Sequence, residues 1–307
     1  MRHEEPAGLS NLHLYATAVL IWGSTWLAIK FQLGPVPAAV SVVWRFALAA
    51  LILLGYALWK GLPLNFARRQ HPWLALEGLT MFGINYLAVY IAEEQLTSGL
   101  VAVIFSLMAF LNLALMRLVY GTPIGARDAA GTAIGIVGVV LVFWPEVARF
   151  SATGAEWTGV AYGVAATLIA ALGNMVAVRN SRAGLGIVQV HGWAMLYGAA
   201  SVALYAVVAG DSFVFERTLP YIGSLLYLAL FGSVIAFGAY VTLMARIGAG
   251  RAAYSSVAIP VVALMLSTLF EDLHWQIEMV AGIALCLLGN LLVLSRGRKA
   301  LPVNAEI

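Results

Sequence analysis

Residues 250–270 read GRAAYSSVAIPVVALMLSTLF, and this stretch decides the kind of fold that the chain adopts. Its length matches the ~20 apolar residues that a helix needs to cross the ~30 Å hydrocarbon core of a bilayer. Pro260 stands near its middle, where it cannot donate a backbone hydrogen bond and crowds the carbonyl four residues back. The stretch therefore predicts a membrane-spanning helix with Pro260 as its hinge.

Similar apolar runs fill the rest of the chain. Of its 307 residues, 62% are apolar and only 10% are charged, a composition that cannot cover a water-facing surface. We therefore predict an all-α integral membrane protein. Its ten transmembrane helices are expected at residues 12–29, 36–59, 73–92, 99–119, 129–144, 158–178, 188–208, 221–244, 250–270 and 277–294.

The loop charges predict the orientation of these helices. If the even-numbered hairpin loops share one side with both termini, that side collects thirteen of the 17 Lys and Arg residues. The other side carries acids such as Glu93, Glu94, Glu271 and Asp272. Because positive loops remain in the cytoplasm, we expect both termini to be cytoplasmic.

An internal repeat lies beneath the ten helices. A shift of 151 residues places Gly131 on Gly282 and Gly138 on Gly289, without a gap. The chain then divides into two five-helix units, 11–145 and 155–295. Because five is odd, the two units must cross the membrane in opposite senses, which predicts an inverted 5+5 repeat of the kind found in secondary transporters.

Several short motifs carry a resemblance to a known family. These segments are Trp-Gly-Ser-Thr-Trp at 22–26, Trp-Arg-Phe at 44–46, Ala-Gly-Arg-Ala-Ala at 249–253, Ile-Pro-Val at 259–261 and the glycines of 282–289. With them the chain resembles the duplicated EamA domains of the drug/metabolite transporter (DMT) superfamily, and its many aromatic residues are most similar to the YddG group of aromatic amino-acid exporters.

Two positions depart from the family pattern. Ala109 stands where a proline is expected in the fourth span, and the Glu that often ends this span is missing beside Tyr120, although Glu271 fills the equivalent place in the second unit. The pattern therefore does not predict the same bend in both units.

The resemblance implies a secondary transporter of the cell inner membrane. We expect export of small amphipathic metabolites, amino acids including aromatic ones, by alternating access in which the fourth and ninth helices move. The expected partners are the small-molecule substrate and the lipid bilayer, with no cofactor and no nucleic acid. The alternative is a carrier or flippase for drug-like compounds, nucleotide sugars or lipid-linked sugars.

Two charges lie inside the spans, Arg45 and Glu77, where an ionised group costs ~2.5–3.5 kcal/mol unless it is paired or hydrated. Arg45 could attract a substrate carboxylate and Glu77 could relay protons. We favour the alternative, in which Arg45 is a structural tie and Glu77 lies in a wet cytoplasmic vestibule. With one internal acid, facilitated movement is favoured over obligatory proton coupling.

Uncharged polar and aromatic residues outline the predicted cavity. Pairs four residues apart share one helix face, and amides deep in a span need partners. Such residues also bridge packed helices or form an interfacial belt. The predicted cavity residues are Trp22, Trp26, Asn85, Tyr86, Tyr90, Phe105, Met108, Asn112, Asn174, Phe237, Tyr240, Tyr254 and Ser255.

Other chemistry is absent from the sequence. It contains no GxxxxGK[ST] phosphate loop, no HExxH and no GxSxG, so we expect neither direct use of ATP nor an enzyme. Small-residue faces at Gly131 with Gly135, and at Gly159 with Gly163, favour close packing within a monomer over a dimer interface.

Overall fold

The computed structural model describes residues 10–147, 154–247, 252 and 255–294, and these residues contain helices and no strand. Eight helices are long and apolar enough to cross a membrane, and Ser255–Phe270 and Ile277–Val293 are shorter apolar helices. The chain is therefore an all-helical, multi-pass membrane protein. The inverted ten-span layout stays a prediction, and Tyr254 and both termini lie outside the described residues.

The described part of the chain forms successive helical segments joined by short connections. We number them α1 Asn11–Lys30, α2 Ala38–Trp59, α3 Arg68–Gln95, α4 Ser98–Tyr120, α5 Ala126–Val147, α6 Ala155–Arg182, α7 Ile187–Ala209, α8 residues 219–247, α9 Ser255–Phe270 and α10 Ile277–Leu294.

Local signals set the ends of these helices. The Ser10 hydroxyl accepts a hydrogen bond from the His13 amide at 3.3 Å and caps α1. Pro72 and Pro220 lie in the first turns of α3 and α8, where a missing amide hydrogen costs nothing. Gly121 ends α4 with a φ of 68°, a backbone conformation that favours glycine.

Two helices widen at related positions. Gly78–Gly83 in α3 and Tyr227–Ile235 in α8 are π-helical, so the Ile84 amide bonds to the Leu79 carbonyl, five residues back. The 151-residue shift places residues 78–83 on 229–234, inside the second widened segment. Both predicted units therefore carry the same irregularity in their third helix, and such π segments are frequent at functional sites.

The helix α4 is broken although it has no proline. Its first half ends at Phe105, a turn follows at Ser106 and Leu107, and its second half begins at Met108. By contrast, α9 remains α-helical through Pro260 from its first to its last residue. The bend expected at Pro260 is thus not a break in the helix, and its role as a hinge stays a prediction.

Glycines bring α5 and α10 into close antiparallel contact. A Cβ on Gly131 would lie 2.8 Å from the Gly289 carbonyl oxygen, and one on Gly138 would lie 2.6 Å from that of Gly282. The shift exchanges these two pairs, a relationship that an inverted repeat requires. The predicted use of the Gly131 face for packing within the chain is confirmed.

A second glycine contact positions the polar residues of α3 and α7. A Cβ on Gly78 would lie 2.2 Å from the Ala194 carbonyl oxygen, and one on Gly198 would lie 2.7 Å from the Gly78 carbonyl oxygen. The two backbones therefore touch directly after Glu77. This approach brings Glu77 against the first turns of α7.

Candidate functional site

One end of the bundle is closed by Glu271, the residue that follows α9. Both of its carboxylate oxygens lie 3.1 Å from the Ser98 amide nitrogen at the start of α4. The hydroxyls of Ser98 and Ser267 also donate to this carboxylate, and Lys30 Nζ lies 3.6 Å from it. A carboxylate at a helix N-terminus satisfies free amides and the helix dipole. We call this the Glu271 end.

Lys30 extends the closure to the connection between α3 and α4. Its ammonium donates to the backbone carbonyls of Glu93 and Leu96, the second at 2.6 Å. The Glu93 side chain beside this contact is fully buried. The Glu271 end therefore ties α1, α3, α4 and α9 together.

Both halves of α4 pack against α6. The first half also packs against α1 and α9, and the second half also contacts α10. The Asn174 amide on α6 donates to the Asn112 side-chain oxygen and to Met108 Sδ, both at 3.2 Å. Farther along, the Tyr120 hydroxyl donates to the Met175 carbonyl at 2.8 Å.

Aromatic rings of α1 face α4 and α8. The ring of Trp22 lies 5.2 Å from that of Tyr240 and 6.1 Å from that of Phe237, and its indole N–H donates to the Gly232 carbonyl in the widened part of α8. One turn later, Trp26 meets Phe105 edge to face at 5.1 Å. These offset and edge contacts are the favoured geometries of aromatic pairs.

The line of rings continues into the interior. Phe237 lies 4.4 Å from His191, and His191 lies 5.6 Å from Phe82. The Arg45 guanidinium, on a side chain only 2% exposed, lies 4.5 Å from the centre of the Tyr86 ring and 5.0 Å from that of the Phe46 ring. Stacking on two rings partly replaces the water that a buried cation loses.

The predicted cavity residues divide by burial. Nine are partly exposed although they lie against other helices, as lining residues would be: Trp22, Trp26, Tyr86, Phe105, Met108, Asn112, Asn174, Phe237 and Tyr240. Asn85, Tyr90 and Ser255 are buried. Asn85 and Ser255 donate to the backbone carbonyls of Met81 and Ala252. Contact of any of them with substrate stays a prediction.

Glu77 is the clearest difference from the sequence-based expectation. A wet vestibule is wrong for it, since the side chain is 0% exposed. Its Oε2 accepts a hydrogen bond from the Asn180 amide at 2.6 Å, and its Oε1 lies 3.7 Å from His191 Nε2. Sequence reasoning missed His191 because we counted only Arg and Glu as intramembrane charges, although this imidazole stands inside the run 188–208.

Comparison with known proteins accounts for this architecture. The sequence pattern of the EamA-like transporter family matches the chain twice, over residues 10–144 and 157–295. The chain therefore belongs to the EamA-like transporter family, and it is a multi-pass membrane transporter.

Two similar proteins of Escherichia coli are themselves named as transporters. The chain is 29% identical over 254 residues to the uncharacterized inner membrane transporter YedA of Escherichia coli K12. The matched region covers 81% of this chain and 79% of that protein. It is 24% identical over 304 residues to a probable amino-acid metabolite efflux pump of the same organism, over 94% and 96% of the two chains. The narrower likeness to the YddG group stays a prediction.

A solved structure shares the fold. This crystal structure of a protein 18% identical to the chain superposes with a TM-score of 0.67 and covers 94% of this chain and 98% of that one. At this identity the likeness concerns the arrangement of the helices alone.

Proposed function

We propose that this chain is a secondary transporter that exports small amphipathic metabolites, amino acids including aromatic ones, by alternating access and without ATP. The observation that carries the proposal is the break in α4 at Ser106 and Leu107, because the first half is packed against α1, α6 and α9 and the second half against α6 and α10. A helix divided in this way can keep one end of a cavity shut while the other end opens.

The described conformation has one sealed end. At the Glu271 end, ion-pair and hydrogen-bond contacts join α1, α4 and α9. Toward the other end, the second half of α4 follows α6, and Asn112 and Asn174 hold it there. By the distribution of loop charges, the Glu271 end faces away from the cytoplasm. A closed end away from the cytoplasm is what an exporter needs while it takes up its substrate from the cytoplasmic side.

The side chains of the candidate site on α1, α6 and α8 suit an amphipathic solute that carries a ring. Trp22, Trp26, Phe237 and Tyr240 offer aromatic surfaces, and the hydrogen-bonded side chains of Asn112 and Asn174 add polar groups. Apolar walls with a few convergent polar groups are typical of small-molecule sites. The relative named as a probable amino-acid metabolite efflux pump, which covers nearly the whole chain, supports amino acids as the substrate class.

The movement proposed for transport exchanges the two ends. The inverted repeat relates α4 to α9, so rocking of these two helices against the rest would open the Glu271 end and close the other. Ser106, at the break in α4, and Pro260 of α9 line one narrow crevice.

Exchange in proteoliposomes tests the proposal. Vesicles that contain the purified protein are preloaded with unlabelled solute, and uptake of labelled tryptophan, phenylalanine, threonine and a nucleotide sugar is followed with and without a pH gradient. Protein-free vesicles provide the background. We expect saturable exchange of the aromatic amino acids, whereas exchange of no amino acid would overturn the substrate class and favour lipid-linked or drug-like substrates.

A further inference from the structure

Glu77 and His191, which we call the buried pair, lie 3.7 Å apart between Glu77 Oε1 and His191 Nε2. Glu77 belongs to α3 and His191 to α7, and the exposed fractions of their side chains are 0% and 8%. No protein hydrogen bond reaches Glu77 Oε1 from the residues that the structure describes. Burial of a carboxylate oxygen without a hydrogen-bond donor is unfavourable, so this atom points to a proton held between the two groups.

The other ring nitrogen of His191 determines its tautomer. His191 Nδ1 lies 2.9 Å from the Ile187 carbonyl oxygen. Because a carbonyl oxygen only accepts, Nδ1 must carry the hydrogen. A neutral His191 would then present the lone pair of Nε2 to the Glu77 carboxylate, and two acceptors would face each other in a dry site.

One additional proton resolves this conflict in either of two ways. Protonated Nε2 forms an ion pair with the carboxylate, whereas protonated Oε1 donates toward Nε2 of a neutral imidazole. The proton comes from solution, and the N–H or O–H bond that holds it is the only bond formed. Without it, Glu77 would keep a negative charge in a dry site with no proton between it and His191, which is strongly unfavourable.

Within the described ranges of the chain, no other neutralising group lies next to Glu77 Oε1. On α6, the Arg179 guanidinium bonds to the side-chain oxygens of Asn180 and Gln70, and only the Asn180 amide reaches Glu77, through Oε2. On α3 itself, His71 is bonded to the Tyr197 hydroxyl of α7 at 2.8 Å. The series of hydrogen bonds from Arg179 through Asn180 connects the buried pair to the half-exposed end of α6.

The pair also lies next to the aromatic side chains of the candidate site. The ring of Phe237 contacts His191 at 4.4 Å on one side and Trp22 at 6.1 Å on the other. On the opposite side, the π-helical segment of α3 begins directly after Glu77. A rearrangement of either element would therefore change the distance between Nε2 and Oε1.

We propose that Glu77 and His191 form a proton-binding site, and that its proton is exchanged for substrate during transport. The exchange step rests on the proposed transport function, whereas the proton site does not. The proposal departs from the facilitated movement that we expected from the sequence, because a histidine partner gives Glu77 a reason to hold a proton.

The first test needs no substrate. Infrared difference spectra between about pH 5 and pH 8, the range over which histidine titrates, are recorded on the purified protein in lipid nanodiscs. We expect a carboxylic-acid or imidazolium signal that disappears in both Glu77→Gln and His191→Gln. Glu94→Gln and His274→Gln, at exposed positions, are the matched controls and should keep it. Identical difference spectra for the wild type and both pair variants would overturn the proton site.

The second test concerns coupling. In proteoliposomes, Glu77→Gln and His191→Gln should reduce accumulation driven by a pH gradient at least about ten-fold, while exchange at equal pH stays within about three-fold of the wild type. Equal loss of both activities in folded variants would contradict coupling. The double variant Glu77→Gln with His191→Gln leaves no unpaired charge, so it serves if the single variants do not fold.

The two proposals fail in distinguishable ways. If the wild type exchanges no amino acid but the infrared signal depends on the pair, the proton site stands and the proposed substrate class fails. If amino acids exchange but no pH gradient drives their accumulation, the proposed function stands and the coupling fails.

Discussion

The Glu271 carboxylate lies 3.1 Å from the Ser98 amide nitrogen, so the residue that ends α9 caps the start of α4. The family pattern often has a Glu at the end of the fourth span as well, but this chain has Tyr120 there, whose hydroxyl bonds to α6 instead. At the Glu271 end, a charged side chain thus links α9 to α4. At the equivalent position of the first predicted unit, Tyr120 carries no charge. This asymmetry favours the described conformation.

Glu271→Gln should loosen the Glu271 end. The variant removes the negative charge that pairs with Lys30 and caps α4, and hydrogen bonds to charged groups contribute about 1.5–3 kcal/mol. Spin labels at exposed Gln95 and His274 would report a longer or broader distance distribution than in the wild type. Glu94→Gln is the control. An unchanged distance distribution in the Glu271 variant would show that the contacts of the Glu271 carboxylate do not keep this end closed.

Gly78→Ala should destabilise the fold. The new Cβ would lie 2.2 Å from the Ala194 carbonyl oxygen, and backbone cannot move aside as a flexible side chain can. Overpacking of this kind costs about 1–3 kcal/mol. Gly55→Ala is the matched control, since no atom lies within 4 Å of its Cβ position. Thermal denaturation should separate the two variants, and equal midpoints would contradict the close approach of α3 and α7.

Asn174→Ala should weaken substrate binding. The variant removes the amide that holds Asn112 and Met108, and a hydrogen bond contributes about 0.5–1.5 kcal/mol, so we expect KM to rise about two- to twelve-fold. Exchange kinetics in proteoliposomes measure this change. Asn11→Ala, at an exposed position at the start of α1, should leave KM unchanged. A normal KM in the Asn174 variant would place this amide outside the binding site.

Pro260→Ala should slow transport without changing KM. Alanine can donate the backbone hydrogen bond that proline lacks, which stiffens α9 where we expect it to hinge. Pro145→Ala is the matched control, because Pro145 also lies inside a helix but near its end. The maximal exchange rate is the quantity to measure, and a wild-type rate in the Pro260 variant would count against the hinge.

Arg45→Lys should lower stability while KM stays within about two-fold. Lysine keeps the charge but cannot stack a planar group on Tyr86 and Phe46, an interaction worth about 1–2 kcal/mol in a desolvated site. Arg69→Lys, at an exposed position, is the control. A raised KM with unchanged stability would instead assign Arg45 to the substrate carboxylate.

The sequence predicted what depends on composition and period. Apolar runs of about twenty residues predict membrane helices because each backbone polar group must be satisfied inside its own segment. The repeated glycines predicted close packing of α5, and the contacts of Gly131 and Gly138 with α10 bear this out. The pairing of Met108 and Asn112 followed from helical spacing, and both meet Asn174.

What the tertiary structure decided depends on contacts between distant residues. The break in α4 at Ser106 and Leu107 occurs without a proline, and its first half packs against α1 and α9, which are distant in the sequence. The partner of Glu77 lies 114 residues away on α7, and the close approach of α3 and α7 at Gly78 and Ala194 brings His191 to it. A single sequence records which residues can be charged or flexible, whereas the folded chain decides which of them share a dry space.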